Sequence, residues 1–428
     1  MAAKVTVLLI LCFMIFLTAC TSDNDNNYVY EVPQENGEYI SIIGELPHVP
    51  QVMPYQVATP TPVPSIMRTL AQRTEIIEII STDGYVLRTQ LTMPNGDGAI
   101  PAIIVYVSGS GPQIFDNRPM YYDFWARRFT DMDIAFIMPN TRGVTVNFAN
   151  PPFFVSIDDE AYQTYLPYTS IEDLYRIIST LRDNERLMDS QIILMGLSEG
   201  AIIAPLFAET HPDMVDALFL IGTPIVNLYD VLRWQASGGP SMAWYRSHFE
   251  ADEYGRITRE AFYADPHNVI QSVLGGLSFD SIDYNNDGFI DEQDMLFLFR
   301  LSGTTHMYNP EPMLEAIRRR DDEWLRENYG IPLTSGWFLE HFELRSNFEL
   351  LPELDLPIYI FHGYIDQNVC IMEVYRLYER LVELGRENVT INTFPFHGHG
   401  LNLEEVFTNN IISDGGMAIF NTAQERIR

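Results

Sequence analysis

The sequence predicts an α/β protein: a mainly parallel sheet with helices on both faces, interrupted by one helical insertion. Three observations carry this. Short apolar runs of strand length alternate with amphipathic helical segments in two separated stretches of the chain. Several runs are apolar at consecutive positions, as strands buried on both faces require. Between residues 222 and 356 the alternation stops, and tryptophan, tyrosine and charged helical pieces follow with no clear strand.

The chain opens with "MAAKVTVLLILCFMIFLTAC": one lysine, an apolar run over residues 5–17, then small residues before Cys20. That run has the length of a signal-peptide core and is short for a bilayer span. Leu17-Thr18-Ala19-Cys20 resembles the lipobox of bacterial lipoproteins. The resemblance implies a lipoprotein signal peptide over residues 1–20, lipidation of Cys20, and a cell-membrane lipoprotein on the extracytoplasmic side. With Cys12 in the signal and Cys20 acylated, Cys370 has no partner for a disulfide within the chain, so the core must hold the fold. Residues 21–73 are acidic, then proline-rich, and read as a tether. A strand at residues 39–43, as part of a prodomain, is the lesser reading.

Regular structure is expected from Thr74. "TEIIEIIS", "YVLRTQLTMP" and "AIPAIIVYVSG" read as an antiparallel start at one sheet edge, with turns at Asp83-Gly84 and Asn95-Gly96. "YYDFWARRFTDM" reads as a helix, "IAFIMPN" as a strand, "SIEDLYRIISTLRDN" as an amphipathic helix, and "QIILMG" and "VDALFLIG" as strands. Near the C-terminus "LPIYIFHG" and "VTINTFPF" are strands flanking the helix "EVYRLYERLVELG". The body therefore spans residues 74–224 and 354–428, with a cap insertion at 225–353.

Composition excludes several functions. A formal charge of −32 opposes a phosphate backbone, so nucleic acid is not an expected partner. Lys4 is the only lysine and lies in the signal segment, which excludes a Schiff-base lysine, a P-loop lysine and a Ser-Lys pair.

"GLSEG", residues 196–200, places Ser198 between two glycines at a strand-to-helix junction. A hydroxyl is a poor nucleophile until a base takes its proton and donors hold the oxyanion, and this bend is where both can be supplied. Asp366 follows the strand "LPIYIFHG", whereas its rivals Asp355 and Glu353 precede it. His399, between Gly398 and Gly400, is the expected base in preference to His397; His362 reads as orienting a loop. The oxyanion donors are expected at the amides of Glu199 and Ser110, with Gly109 next.

These residues resemble the α/β-hydrolase superfamily, and more narrowly its bacterial esterase and serine-aminopeptidase-like branch. The likeness rests on "STDGYVLRTQLTMP", "SGSGPQ", "NTRG", "GLSEGAIIAP", "HGYIDQNV" and "HGHGLN". The chain departs from the family's pattern at Leu197, at Ala201 and at Asn140-Thr141. The resemblance implies a Ser198–His399–Asp366 triad, an acyl-enzyme, a small-molecule acyl ester as substrate, and no cofactor for catalysis. The alternatives are a serine peptidase, an aminopeptidase or an acyltransferase on the same triad, or a non-catalytic surface-binding lipoprotein.

Inside the insertion "DYNNDGFIDEQD", residues 283–294, has EF-hand spacing. The expected Ca2+ ligands are Asp283, Asn285, Asp287, the Phe289 carbonyl, Asp291 and Asp294, the last shorter than the usual glutamate. Upstream, residues 250–262 resemble a degenerate partner loop, with Tyr254 and Ala261 at ligand positions. The ion is expected to be structural. Trp234, Trp244, Trp324 and Trp337 fit either an acyl pocket or the insertion's own core.

Overall fold

The computed structural model describes residues 29–33, 39–43, 72–115, 119–147, 154–252, 254–266, 268–272, 274–302 and 309–427. The expected signal peptide, Cys20 and most of the expected tether lie outside them. Within the tether stretch, Val29–Pro33 and Tyr39–Ile43 pair as an antiparallel hairpin, so that stretch is not all irregular linker.

Eight strands form the main sheet: β1 (Gln72–Ile80), β2 (Val86–Pro94), β3 (Ala102–Val107), β4 (Ile134–Pro139), β5 (Gln191–Leu197), β6 (Ala217–Ile221), β7 (Ile358–Gly363) and β8 (Val389–Phe394). Their order across the sheet is β1-β2-β4-β3-β5-β6-β7-β8. The β1–β2 and β2–β4 pairings are antiparallel and every other one is parallel. This order, with helices on both faces, is the α/β-hydrolase fold.

One expectation is corrected. β3 does not belong to the antiparallel edge; it lies inside the sheet, parallel to β4 and β5. All six of its residues are buried, which is why its sequence is apolar without alternation.

The strands divide their side chains between two cores with the period of two that a pleat imposes. Ile103 and Val105 of β3 and Ile192 and Leu194 of β5 face an aliphatic layer. Over it pack α2 (Pro167–Arg182), α3 (Gly200–Thr210) and α5 (Ile371–Glu383). Ile104, Tyr106, Ile193 and Met195 face an aromatic layer under α1 (Pro119–Thr130) and α6 (Asp414–Arg426). There Trp125 stacks on Phe129 at 5.7 Å and Phe420 sits 5.2 Å from each. Helix α6 escaped the sequence reading, because glycines at 415 and 416 weaken its helical signal. A ribbon of Val144–Asn147 with Phe154–Ile157 also escaped it.

The chain leaves the sheet after β6 and returns at β7. One part of the insertion, with Leu232, Met313, Leu314, Ile317, Trp337 and Phe338, covers the sheet's C-terminal end together with Tyr162 and Tyr165. Helix α4 (Ser335–Glu343) belongs to this part. The other part has its own core of Trp244, Phe249, Ile257, Phe262, Phe279 and Ile290. It also contains a two-residue ribbon that the sequence did not announce, Ile257–Thr258 antiparallel to Phe289–Ile290.

Arg142 ties the edge hairpin to the layer above it. Nε and Nη2 donate to the two oxygens of Asp173 at 2.7 and 2.6 Å, and Nη1 donates to Asp83 at 2.6 Å. Nη2 also reaches Ser81, and the guanidinium lies over the Tyr85 ring. The side chain is 3% exposed. Arg142→Met strands Asp173 without its cation and is expected to destabilise the protein by about 3 kcal/mol, as breaking a buried pair does. Urea unfolding at pH 7 checks this.

Candidate active site

Ser198 occupies the left-handed region of backbone space, φ 56°. A non-glycine residue there carries strain of about 1–3 kcal/mol and persists only when its surroundings hold it. The Ser198 N–H donates to the Ile221 carbonyl at 2.9 Å, fastening the bend to β6. The flanking glycines are steric requirements. A Cβ on Gly196 would lie 2.2 Å from the Gly200 oxygen, and one on Gly200 would lie 2.0 Å from the Val107 oxygen. Ala201 is accommodated, wholly buried against the aliphatic layer.

The residues expected as triad acid and base, Asp366 and His399, lie in the loops after β7 and β8. Asp366 Oδ1 accepts from the N–H groups of Asn368 and Val369 at 2.8 and 2.9 Å, while Oδ2 accepts from His399 Nδ1 at 2.8 Å. A carboxylate oxygen only accepts, so Nδ1 carries the proton and Nε2 is left as the base. The Asp366 carboxylate is fully buried, yet its pKa is lowered. Burial alone would raise it; the hydrogen-bonded imidazole of His399, then the His362 ring and the loop amide of Val369, outweigh that.

His362 lies beneath, with Nε2 3.4 Å from the Val369 carbonyl and 3.5 Å from Asp366 Oδ2. Burial first depresses its pKa, so it acts as a neutral support of the Asp366 loop. His397 turns its Nδ1 to the Pro395 carbonyl at 2.6 Å, which leaves His399 as the histidine paired with Asp366.

Ser198, His399, Ser110, Gly109 and Glu199 line one cavity of about 280 Å³. A Cβ on Gly109 would stand 3.3 Å from Ser198 Cβ, so the loop after β3 lies directly on the nucleophile. Asn140 and Thr141, one of the departures noted above, clasp that loop. The Phe115 N–H donates to Asn140 Oδ1 and the Gln113 N–H to Thr141 Oγ1, both at 3.0 Å. Thr141 Oγ1 in turn donates to the Gly111 carbonyl at 3.1 Å. The apolar part of the remaining wall comes largely from the insertion: Leu228, Val231, Leu232, Leu333, Trp337 and Phe338. Of the four tryptophans weighed for an acyl pocket only Trp337 lines it; Trp244 is core of the insertion.

Three neighbours of Glu199 were not legible in the sequence. Its carboxylate, 4% exposed, accepts from Trp337 Nε1 at 2.8 Å and from Tyr165 Oη, and His341 Nε2 stands 3.4 Å away. Trp337 and His341 sit four residues apart on α4, a helical spacing with nothing to announce a partner 138 residues upstream.

In the acidic loop at 283–294, Asp283 and Asp294 are 3% and 1% exposed. Asp283 accepts from the Asp287 and Gly288 N–H groups, and Asp294 from those of Tyr284 and Asp291. Among the described residues no three His, Cys, Asp or Glu side chains converge as a ready metal set.

No family model matches the chain, and no curated protein matches it. Solved structures similar to it include a highly thermostable carboxyl esterase from Bacillus coagulans, 14% identical over 83% of this chain and 99% of that one, TM-score 0.48. Est1E from Butyrivibrio proteoclasticus is 14% identical over 82% and 98%, TM-score 0.46. An acylaminoacyl peptidase from Pyrococcus horikoshii is 13% identical over 91% of this chain but 44% of that one, TM-score 0.42.

A Cβ on Gly222, φ +54°, would lie 2.7 Å from His399 Nδ1. Gly222→Ala is therefore expected to displace the imidazole and lower turnover about 100-fold, the cost of an ångström-scale misplacement. The check is ester kinetics, with circular dichroism confirming an unchanged fold.

Proposed function

We propose that the protein is an extracytoplasmic, membrane-anchored serine hydrolase that cleaves carboxylic esters. The observation that carries this is the hydrogen bond from His399 to buried Asp366, made by an imidazole that lines the same cavity as the strained Ser198. His399 Nε2 takes the Ser198 proton as Oγ attacks the acyl carbon, and Asp366 stabilises the imidazolium. The amides of Glu199 and Ser110 receive the oxyanion. His399 then protonates the leaving alcohol, and water repeats the sequence on the acyl-enzyme. The anchoring rests on the lipobox-like residues 17–20.

An ester is favoured over an aminopeptidase substrate by the charge of the cavity. Among the described residues its one lining carboxylate, Glu199, is engaged by Tyr165 and Trp337 and faces His341, so it offers no seat for a free α-amine. A fluorophosphonate is expected to label the wild-type protein and not Ser198→Ala. Equal labelling, or none in the wild type, removes the enzyme reading and leaves a binding lipoprotein.

The loop at 283–294 is proposed to bind Ca2+ as a structural ion through Asp283, Asn285, Asp287, the Phe289 carbonyl, Asp291 and Asp294. Antiparallel pairing of Phe289–Ile290 with Ile257–Thr258 supports a two-loop unit whose partner, residues 250–262, lacks ligands at Tyr254 and Ala261. Burial first, then neighbouring carboxylates, raises the pKa of Asp291 and Asp294, a mutual repulsion that a dication relieves. Chelation is expected to lower the melting temperature of the wild type by on the order of 2–5 °C. The Asp283→Ala/Asp287→Ala/Asp294→Ala variant should melt alike with and without chelator. Identical wild-type curves in calcium and in chelator end the calcium proposal.

A further inference from the structure

Helix α4 carries a buried histidine that the triad does not use. His341 is 1% exposed, and its ring centre lies 3.9 Å from that of Trp337. Nδ1 is 2.8 Å from the Trp337 carbonyl, an oxygen that only accepts, so Nδ1 bears a proton. Nε2 lies 3.4 Å from Glu199 Oε1 without a completed hydrogen bond and without another partner. A neutral ring protonated at Nδ1 presents a lone pair at that point. Facing a carboxylate in a buried site, that lone pair is repelled.

One more proton resolves the contact. Both Glu199 oxygens accept hydrogen bonds, Oε1 from Trp337 and Oε2 from Tyr165, and two donors favour the charged carboxylate and so a proton on the ring. We propose that His341 is an imidazolium paired with Glu199, and that this pair positions the oxyanion amide and the acyl-pocket wall as one unit. The proposal rests on the serine-hydrolase reading. Glu199 directly follows the nucleophile, whereas Trp337 and Phe338, on the helix that bears His341, form the cavity wall. His341 touches no substrate and is a positioning residue.

The other groups around the pair are neutral or lie at the surface. Tyr162 and Tyr165 approach the same carboxylate from the segment before α2; burial first, and the Glu199 charge second, push both hydroxyls upward, so they stay neutral. Asn227 donates to the His341 carbonyl and is uncharged. On α4 itself Glu340 accepts from the Tyr168 N–H at the surface, and Glu343 is exposed. Without that proton the repulsion with Glu199 would return and loosen α4 from the elbow.

Histidine-selective 15N labelling of the full chain reads the ring directly, with His341→Asn assigning the signal. Both His341 nitrogens are expected in the protonated range at pH 7, and Glu199→Gln should return Nε2 to the unprotonated range. A wild-type ring protonated only at Nδ1 overturns the proposal. In kinetics on a p-nitrophenyl ester, His341→Asn should raise KM about tenfold with a smaller change in kcat, while Ser198 still labels. An unchanged KM also overturns the proposal. If wild-type Ser198 does not label but the ring is doubly protonated, the serine-hydrolase reading fails and the ion pair stands.

Discussion

The crossing of β5, the Ser198 bend and α3 against β3 is the constraint from which the rest follows. Backbone atoms there approach so closely that neither Gly196 nor Gly200 has room for a Cβ. The close approach brings Ser198 beside the loop after β3, where Gly109 meets it. Strain at Ser198 is the accompanying cost, and it is held by packing on both sides and by the bond to Ile221. Asp366, His399 and the loop after β3 are then arranged around a point that cannot drift.

Around that point the polar groups are partnered in layers. Asp366 receives two loop amides and an imidazole, so its buried charge is compensated before substrate arrives. Asn140 and Thr141 hold the loop expected to present the Ser110 amide. Glu199 connects the elbow to the insertion. The insertion is thus part of the site, supplying most of the apolar wall, while its second core around Phe262 and Ile290 stands apart from the cavity.

Much of this was legible in the residues. The order Ser, Asp, His along the chain, each after an apolar strand, singled out Ser198 and His399, which line one cavity, and Asp366, which His399 meets, and flanking glycines singled out His399 over His397. Period and apolarity located the strands, but they could not say which strands pair. β3 read as part of an antiparallel edge because it follows two edge strands in the chain; only its consecutive burial shows that it is central. Helix α6 was missed because its two glycines weaken the helical signal, and the ribbons of two and four residues because they are shorter than the windows in which periodicity can be seen.

What the sequence determined by itself is local: a hydroxyl on a glycine-flanked bend, an imidazole and a carboxylate after strands, and an acidic loop of fixed spacing. These are legible because backbone sterics act over a few residues. What tertiary structure decided is which distant groups share a charge. His399 meets Asp366 across 33 residues, and Trp337 meets Glu199 across 138. Such partners are chosen by the geometry of folded layers, and the energy that fixes them, removal from water, exists only once those layers close.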